Sequence, residues 1–289
     1  MDEVVLDYDT TKGHISEDIK LDTKVLKLGK KKIQSLSLDS LSSLTHLRQL
    51  WVNDNELASL DLSPLSHCLQ LEILSISGNN LQSIDLTPLK YCHELEKLYL
   101  HDNGLESINL EPLRNTKKLS MLFLDRNRLK RVQLDPLFDS QYLSEIRLWK
   151  NLMPSVDVTP LFFIHTFRTL HFEADKDLTM DITLKYLSEK MDTNRFLTKK
   201  LKFNTIEWLD YTSLSVRDGW SGVRTRLLEI IDRTDEIFLP ALVEGFFESF
   251  GLPAQQNWNI DLKDILLSIP EDISYGEAVK LIEQKLGFS

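Results

Sequence analysis

Apolar positions recur along this chain at a fixed spacing. Leu47, Leu50, Val52 and Leu57, with Asn55 between the last two, return 24 residues later as Leu71, Leu74, Ile76, Asn79 and Leu81. The set returns as Leu95, Leu98, Leu100, Asn103 and Leu105, then as Leu119, Leu122, Leu124, Asn127 and Leu129. A looser copy reads Leu143, Ile146, Leu148, Asn151 and Met153. Apolar residues two apart put both side chains on one face of an extended segment, so each copy predicts a short strand. A second half repeats as well: Leu60, Leu62, Pro64 and Leu65 become Ile84, Leu86, Pro88 and Leu89, and the series ends at Val156, Val158, Pro160 and Leu161. Ser63, Thr87, Glu111, Asp135 or Thr159 precedes each proline. Ser, Thr or Asp followed by Pro predicts a side-chain N-cap with proline opening a short helix or 3₁₀ segment. Leu26, Leu28 and Ile33 extend the register upstream and Phe167, Leu170 and Phe172 downstream, with Lys31 and Asp175 in the asparagine place. Seven strands are predicted, near residues 26, 50, 74, 98, 122, 146 and 170.

This LxxLxLxxNxL signature resembles the leucine-rich repeat family. The resemblance implies an α/β solenoid, with a parallel sheet of about seven strands on a concave face and short helices or 3₁₀ segments on the convex side. The asparagines are expected to be structural, because an amide carries both donors and an acceptor for backbone groups that a tight turn leaves unpaired. The predicted organisation is an N-terminal cap at 1–23, a solenoid at 24–176 and a helical C-terminal cap or domain at 177–289. The first 22 residues are expected to form a hairpin turning at Lys12-Gly13. Beyond Asp175 the period stops, and apolar spacings of three and four predict helices over 184–201, 223–239, 241–251 and 276–287. Pro240, Gly251 with Pro253, and Pro270 punctuate them, and Leu266, Leu267 and Ile269 form an apolar run. Solenoids need their apolar ends covered, and residues 177–200 are the candidates for the far end.

Acidic residues exceed basic ones in both parts, with 21 Lys+Arg against 25 Asp+Glu in 1–176 and 13 against 19 in 177–289, which argues against a general nucleic-acid binder. One basic cluster, Arg114, Lys117, Lys118, Arg126, Arg128, Lys130 and Arg131, reads as a solvated rim. The chain has no apolar run of transmembrane length, and its acidic N-terminus lacks the apolar core of a signal peptide. Cys68 and Cys92 fall in one column with Thr116 and Ser140 and are expected to be reduced core thiols rather than a disulfide. A cytoplasmic location follows as an expectation.

Residues between the inward leucines point outward from the sheet. One outward row reads Lys27, Trp51, Ser75, Tyr99, Phe123, Arg147, His171; the next reads Gly29, Asn53, Ser77, His101, Asp125, Trp149, Glu173; the preceding one reads Val25, Gln49, Ile73, Lys97, Met121, Glu145, Thr169. Large aromatics where stability does not demand them are the composition of an interaction hot spot. The candidate partner-binding residues are therefore Trp51, Tyr99, His101, Met121, Phe123, Arg147, Trp149 and His171. Tyr99, Phe123 and Met121 are expected to adjoin, with Trp149 one strand further and Trp51 two strands before Tyr99. The sequence holds no GxxxxGK[ST], no GxGxxG after a strand, no HExxH and no CxxC, so no cofactor, metal or catalytic residue is assigned. His101 and His171 lie three strands apart, too far to share a metal. Stacked Asp61 and Asp85 read as a turn ladder rather than a cation site. The expected function is a non-catalytic scaffold or adaptor that binds a protein partner on the concave face, with no nucleic acid, membrane or small-molecule substrate. The alternative is an enzyme or signalling regulator whose C-terminal helices act on a target that the repeats select.

Overall fold

The computed structural model describes residues 3–181, 183–190, 194–202, 206–252 and 261–288. The chain forms two compact units, Met1–Asp177 with Asn194–Lys200, and Leu178–Thr193 with Leu201–Ser289.

The first unit opens with an antiparallel hairpin of β1 (Glu3–Thr10) and β2 (Gly13–Lys20), paired from Glu3↔Lys20 to Thr10↔Gly13. The loop is Thr11–Lys12, and Gly13 opens β2 at φ 122°, a conformation that a side chain resists. Next come β3 (Val25–Lys27) and β4 (Ile33–Leu36); the free edge of β1 pairs with β4. Leu6 and Tyr8 are buried, and the Lys31 ammonium, in the first asparagine place, bonds Glu17 Oε2 at 2.6 Å and the Tyr8 hydroxyl at 3.1 Å.

The repeats form one parallel sheet. It runs β3, β5 (Gln49–Trp51), β6 (Ile73–Ser75), β7 (Lys97–Tyr99), β8 (Met121–Phe123), β9 (Glu145–Arg147) and, past the short β10 (Ser155–Asp157), β11 (Thr169–His171). The register advances by one repeat per strand: Leu26, Leu50, Leu74, Leu98, Leu122, Ile146 and Leu170 lie side by side. These are the seven strands that the period predicts. Strands this short cannot stand alone; each is held by the next and by the buried leucines beneath.

The turns opposite the sheet are 3₁₀ segments, at Asp39–Ser43, Ser63–His67, Thr87–Tyr91, Glu111–Asn115, Asp135–Leu137 and Thr159–Phe163. Their capping corrects the sequence reading. The residue before each proline lies inside the turn, the cap position is the preceding Leu62, Leu86, Leu110, Leu134 or Val158, and no cap side chain bonds the turn. Instead the residue two places earlier closes an Asx turn: Asp61, Asp85, Asn109 and Asp157 accept from the backbone N–H of Ser63, Thr87, Glu111 and Thr159 at 2.8–3.1 Å. Hydrogen bonds from the Ser63 and Thr87 hydroxyls, and then from their backbone N–H groups, lower the pKa of Asp61 and Asp85. The stacked aspartates are thus turn residues.

The asparagines form a ladder. Asn79 Oδ1 accepts from Leu57 N at 3.1 Å, and its Nδ2 donates to Val52 O and Ile76 O, both at 3.1 Å. Asn127 makes the same set with Leu105 N, Leu100 O and Leu124 O. Neighbours share acceptors: Val52 O also receives Asn55 Nδ2 at 3.0 Å. Asn55, Asn79 and Asn127 are buried, while Asn103 and Asn151 are half-buried. The residue before each ladder position is left-handed: Lys30, Asp54, Gly78, Asp102, Arg126 and Lys150 have φ between 53° and 66°. Cys68 and Cys92 are free and buried, and burial pushes their thiols up to about 11 and about 12.

The helix expected over 184–201 is two helices, α1 (Leu184–Lys190) and α2 (Arg195–Lys202); residues 191–193 of that expectation lie outside the described residues. Within the first unit Phe196 meets Phe167 edge-on at 5.5 Å, and Asn194 Nδ2 donates to Leu161 O at 2.6 Å.

The second unit carries two strands that the sequence reading missed, β12 (Asp177–Asp181) and β13 (Ile206–Leu209), parallel from Leu178↔Ile206 to Asp181↔Leu209. α3 (Tyr211–Asp232) starts twelve residues before the expected 223 and bends at Gly219, φ 68°. The helix expected to reach 239 therefore ends at Asp232. α4 (Leu239–Ser249) follows, with Pro240 in its first turn rather than as a break. Gly251 leaves α4 at φ 65°, and Pro253 lies outside the described residues. The apolar run before Pro270 belongs largely to α5 (Leu262–Leu267), and α6 (Tyr275–Lys285) opens on a capping box of Ser274 and Glu277. In the core of this unit the Asp181 carboxylate accepts from Thr183 N at 3.0 Å and Thr183 Oγ1 at 2.6 Å, and faces Arg226 Nε at 3.6 Å. Both charged groups are almost wholly buried.

Candidate functional site

The outward face of the seven-stranded sheet is built by alternation. Every buried leucine in a three-residue strand obliges its neighbours to project from the other side. The Tyr99 and Phe123 rings, on adjoining strands, lie 4.9 Å apart, and the His101 ring sits 6.2 Å from Tyr99 and 6.1 Å from Phe123. Trp51 is two strands from Tyr99, yet their rings are 6.2 Å apart. The strand between them presents Ser75, a buried small residue whose hydroxyl shares a 3.2 Å bond with Ser77, so the two large rings close over it. The Tyr99 hydroxyl points to Met121 Sδ at 3.7 Å. The Arg147 guanidinium lies 3.9 Å from the Phe123 ring centre and donates from Nε to Glu145 at 2.7 Å. His171 Nε2 stands 3.2 Å from the same carboxylate.

Six of the eight candidate residues are thus in one cluster: Trp51, Tyr99, His101, Met121, Phe123 and Arg147. His171 joins it through Glu145. Trp149 is set apart; its ring carries the Arg126 guanidinium at 5.0 Å and the Lys150 ammonium at 4.7 Å. Phe123 also differs from the expectation of an open aromatic. It is only 9% exposed, because Tyr99, His101 and Arg147 surround it. Trp51, Tyr99, Met121, Arg147 and Trp149 are half-buried and present the accessible surface.

Beside Trp51, the first two strands form an open groove of about 320 Å³ lined by Lys27, Gly29, Lys30, Gln49, Trp51 and Asn53. One end of the face is therefore basic. The other mixes Glu145, Arg147, His171 and Glu173. Sequence reasoning placed Glu145 and Asp125 on the outward rows but assigned them no part. An acidic residue flanked by outward Arg and His in neighbouring repeats was the available signal. Burial raises the pKa of both Asp125 and the Tyr99 hydroxyl. Among the described residues no group of three His, Cys, Asp or Glu is placed to hold a metal ion. No described helix is long and apolar enough to cross a membrane.

A family model, Leucine rich repeat, matches residues 69–129. Solved structures similar to this chain include the leucine-rich repeat domain of APL1B, at 18% identity over 56% of this chain and 47% of that one, TM-score 0.47. Two from Listeria monocytogenes are similar as well. Internalin C2 is 20% identical over 54% of this chain and 85% of that one, TM-score 0.35, and internalin InlF 21% over 67% and 63%, TM-score 0.40. The match thus spans less than half the length of the first of these chains. No curated protein matches.

Proposed function

We propose that this chain, whose residues 69–129 match the leucine-rich repeat model, is a non-catalytic scaffold or adaptor whose repeat sheet binds a protein partner. The observation that carries the proposal is the cluster of Trp51, Tyr99, His101, Phe123 and Arg147 on the outward face. Its rings stand on strands locked by the asparagine ladder, so the face is preformed and little ordering entropy opposes binding. Trp, Tyr and Arg are the residues that most often dominate protein interfaces. The reduced, buried thiols support a cytoplasmic setting, where disulfides are rare.

The test separates surface from core. Trp51→Ala and Tyr99→Ala should each weaken capture of the partner by tenfold or more, about 1.4 kcal/mol, with little change in melting temperature. Phe123→Ala should weaken capture and also lower the melting temperature, because that ring is packed. Undiminished capture by a Trp51→Ala/Tyr99→Ala variant overturns the proposal.

A further inference from the structure

In the first unit, among the described residues, the buried side-chain atoms without a hydrogen-bond partner are His101 Nδ1, Asp125 Oδ1 and Glu173 Oε2. All three lie in one outward row of the sheet. Elsewhere in the unit the ladder and the Asx turns pair buried polar groups with care, so three orphans in one line call for an explanation.

Asp125 is the sharpest of them. It is 5% exposed and neighbours His101 of the preceding coil, where Asp102 N donates to Asp125 O at 3.0 Å and holds the two residues level. The cations around it are committed to other carboxylates. Arg147 Nε donates to Glu145, and Arg126 Nη1 to Asp102 at 3.3 Å. The other oxygen of Glu173 accepts the Lys150 N–H. What remains is a carboxylate with acceptor capacity to spare, an imidazole nitrogen beside it, and the Tyr99 and Phe123 rings 6.2 and 6.1 Å from that imidazole. Burial raises the pKa of Asp125, while His101, the residue's own backbone N–H and then Arg147 oppose that rise. A group that brings both hydrogen-bond donors and positive charge satisfies all of these features together. A guanidinium does so best, since it bonds a carboxylate with two N–H groups and lies flat on aromatic rings.

We propose that Asp125 and His101 form the recognition point for a basic side chain, arginine foremost, of an extended segment of the partner seated beside Tyr99. This rests on the reading that the repeat sheet binds protein. The site commits Asp125 to accepting two N–H groups, and Tyr99 to covering the cation from one side.

The test uses the full chain and a displayed library of random 12-residue peptides as the probe. Selected peptides should share an Arg or Lys. Replacing that residue by Ala in the strongest binder, or Asp125→Asn in the protein, should weaken binding by about tenfold or more. Asp125→Asn should melt no lower than wild type, because it removes a charge whose burial outweighs the favourable groups around it. Peptides with no common basic residue, no recovered peptide, binding within twofold on Asp125→Asn, or a lower melting temperature for that variant each overturn the inference. The two readings fail differently. If Asp125→Asn binds normally but Tyr99→Ala or Trp51→Ala does not, the basic-residue site is wrong and the sheet-face reading stands. If all three bind normally, both are wrong.

Discussion

In the first unit the ladder asparagines find their partners one coil away; in the second, Arg224, Trp220 and Asp181 meet groups more than 40 residues along the chain. Asn79 bonds Leu57 N, Val52 O and Ile76 O, and Asn127 repeats those bonds two coils on. Among the described residues of the second unit the long-range polar contacts share no common offset. Arg224 Nε donates to Leu266 O at 2.9 Å, Trp220 Nε1 to Pro270 O at 2.9 Å, and Asp181 faces Arg226. A solenoid spreads its stability over equivalent neighbours, so one loss is local. A unit that relies on single contacts such as Asp181 with Arg226 concentrates it.

The largest effect should come from that pair. Asp181→Ala removes the carboxylate that faces the buried Arg226 guanidinium and accepts from Thr183, at a cost of about 3–5 kcal/mol. Denaturant unfolding followed by tryptophan fluorescence reads it. A change below about 1 kcal/mol would erase the contrast between the units. Asn127→Ala strands the buried Leu105 N–H, while Leu100 O and Leu124 O keep the amides of Asn103 and Asn151, and should cost about 2 kcal/mol, more than Asn103→Ala, whose site is half-buried. Equal values would mean that burial does not grade the ladder. Gly78→Ala should cost about 1–2 kcal/mol, since φ is 66° and an added Cβ would meet Asp54 Oδ1 at 2.6 Å. Adding Asp54→Ala should recover the steric part only, which a double-mutant cycle measures.

The smallest effect concerns pH. Burial raises the folded pKa of Asp125, so the folded state holds this proton more tightly than the unfolded chain. The carboxyl therefore destabilises progressively as pH climbs from its ordinary carboxylate value through the raised one. Melting temperatures of Asp125→Asn and wild type should coincide at low pH and separate above that window, with the variant higher. A pH-independent difference would show that ionisation is not its source.

The same contrast governs what the chain discloses before folding. The leucine column, the seven strands and the asparagine ladder were legible because a period multiplies weak local signals. The outward rows were legible too, since alternation fixes which side chains face out. Reach across a gap was not: that Trp51 spans a strand to Tyr99 depends on Ser75 being small and buried, and that Phe123 is covered depends on where Arg147 turns. β12, β13 and the first half of α3 were invisible for a related reason. Each occurs once, and their polar residues take meaning from distant partners such as Asp181 and Arg226.

The bonds of the asparagine ladder carry a consequence for how such a protein changes over generations. Each amide addresses its own coil and the one before it by fixed offsets of 3, 22 and 27 residues. Duplicating or deleting one whole coil leaves all those offsets intact. The distance between Trp51 and Arg147 is therefore adjustable in steps of one strand spacing, ~4.8 Å. A lineage can lengthen or shorten the ruler on which its recognition groups are mounted in a single event, without retuning the core that holds them.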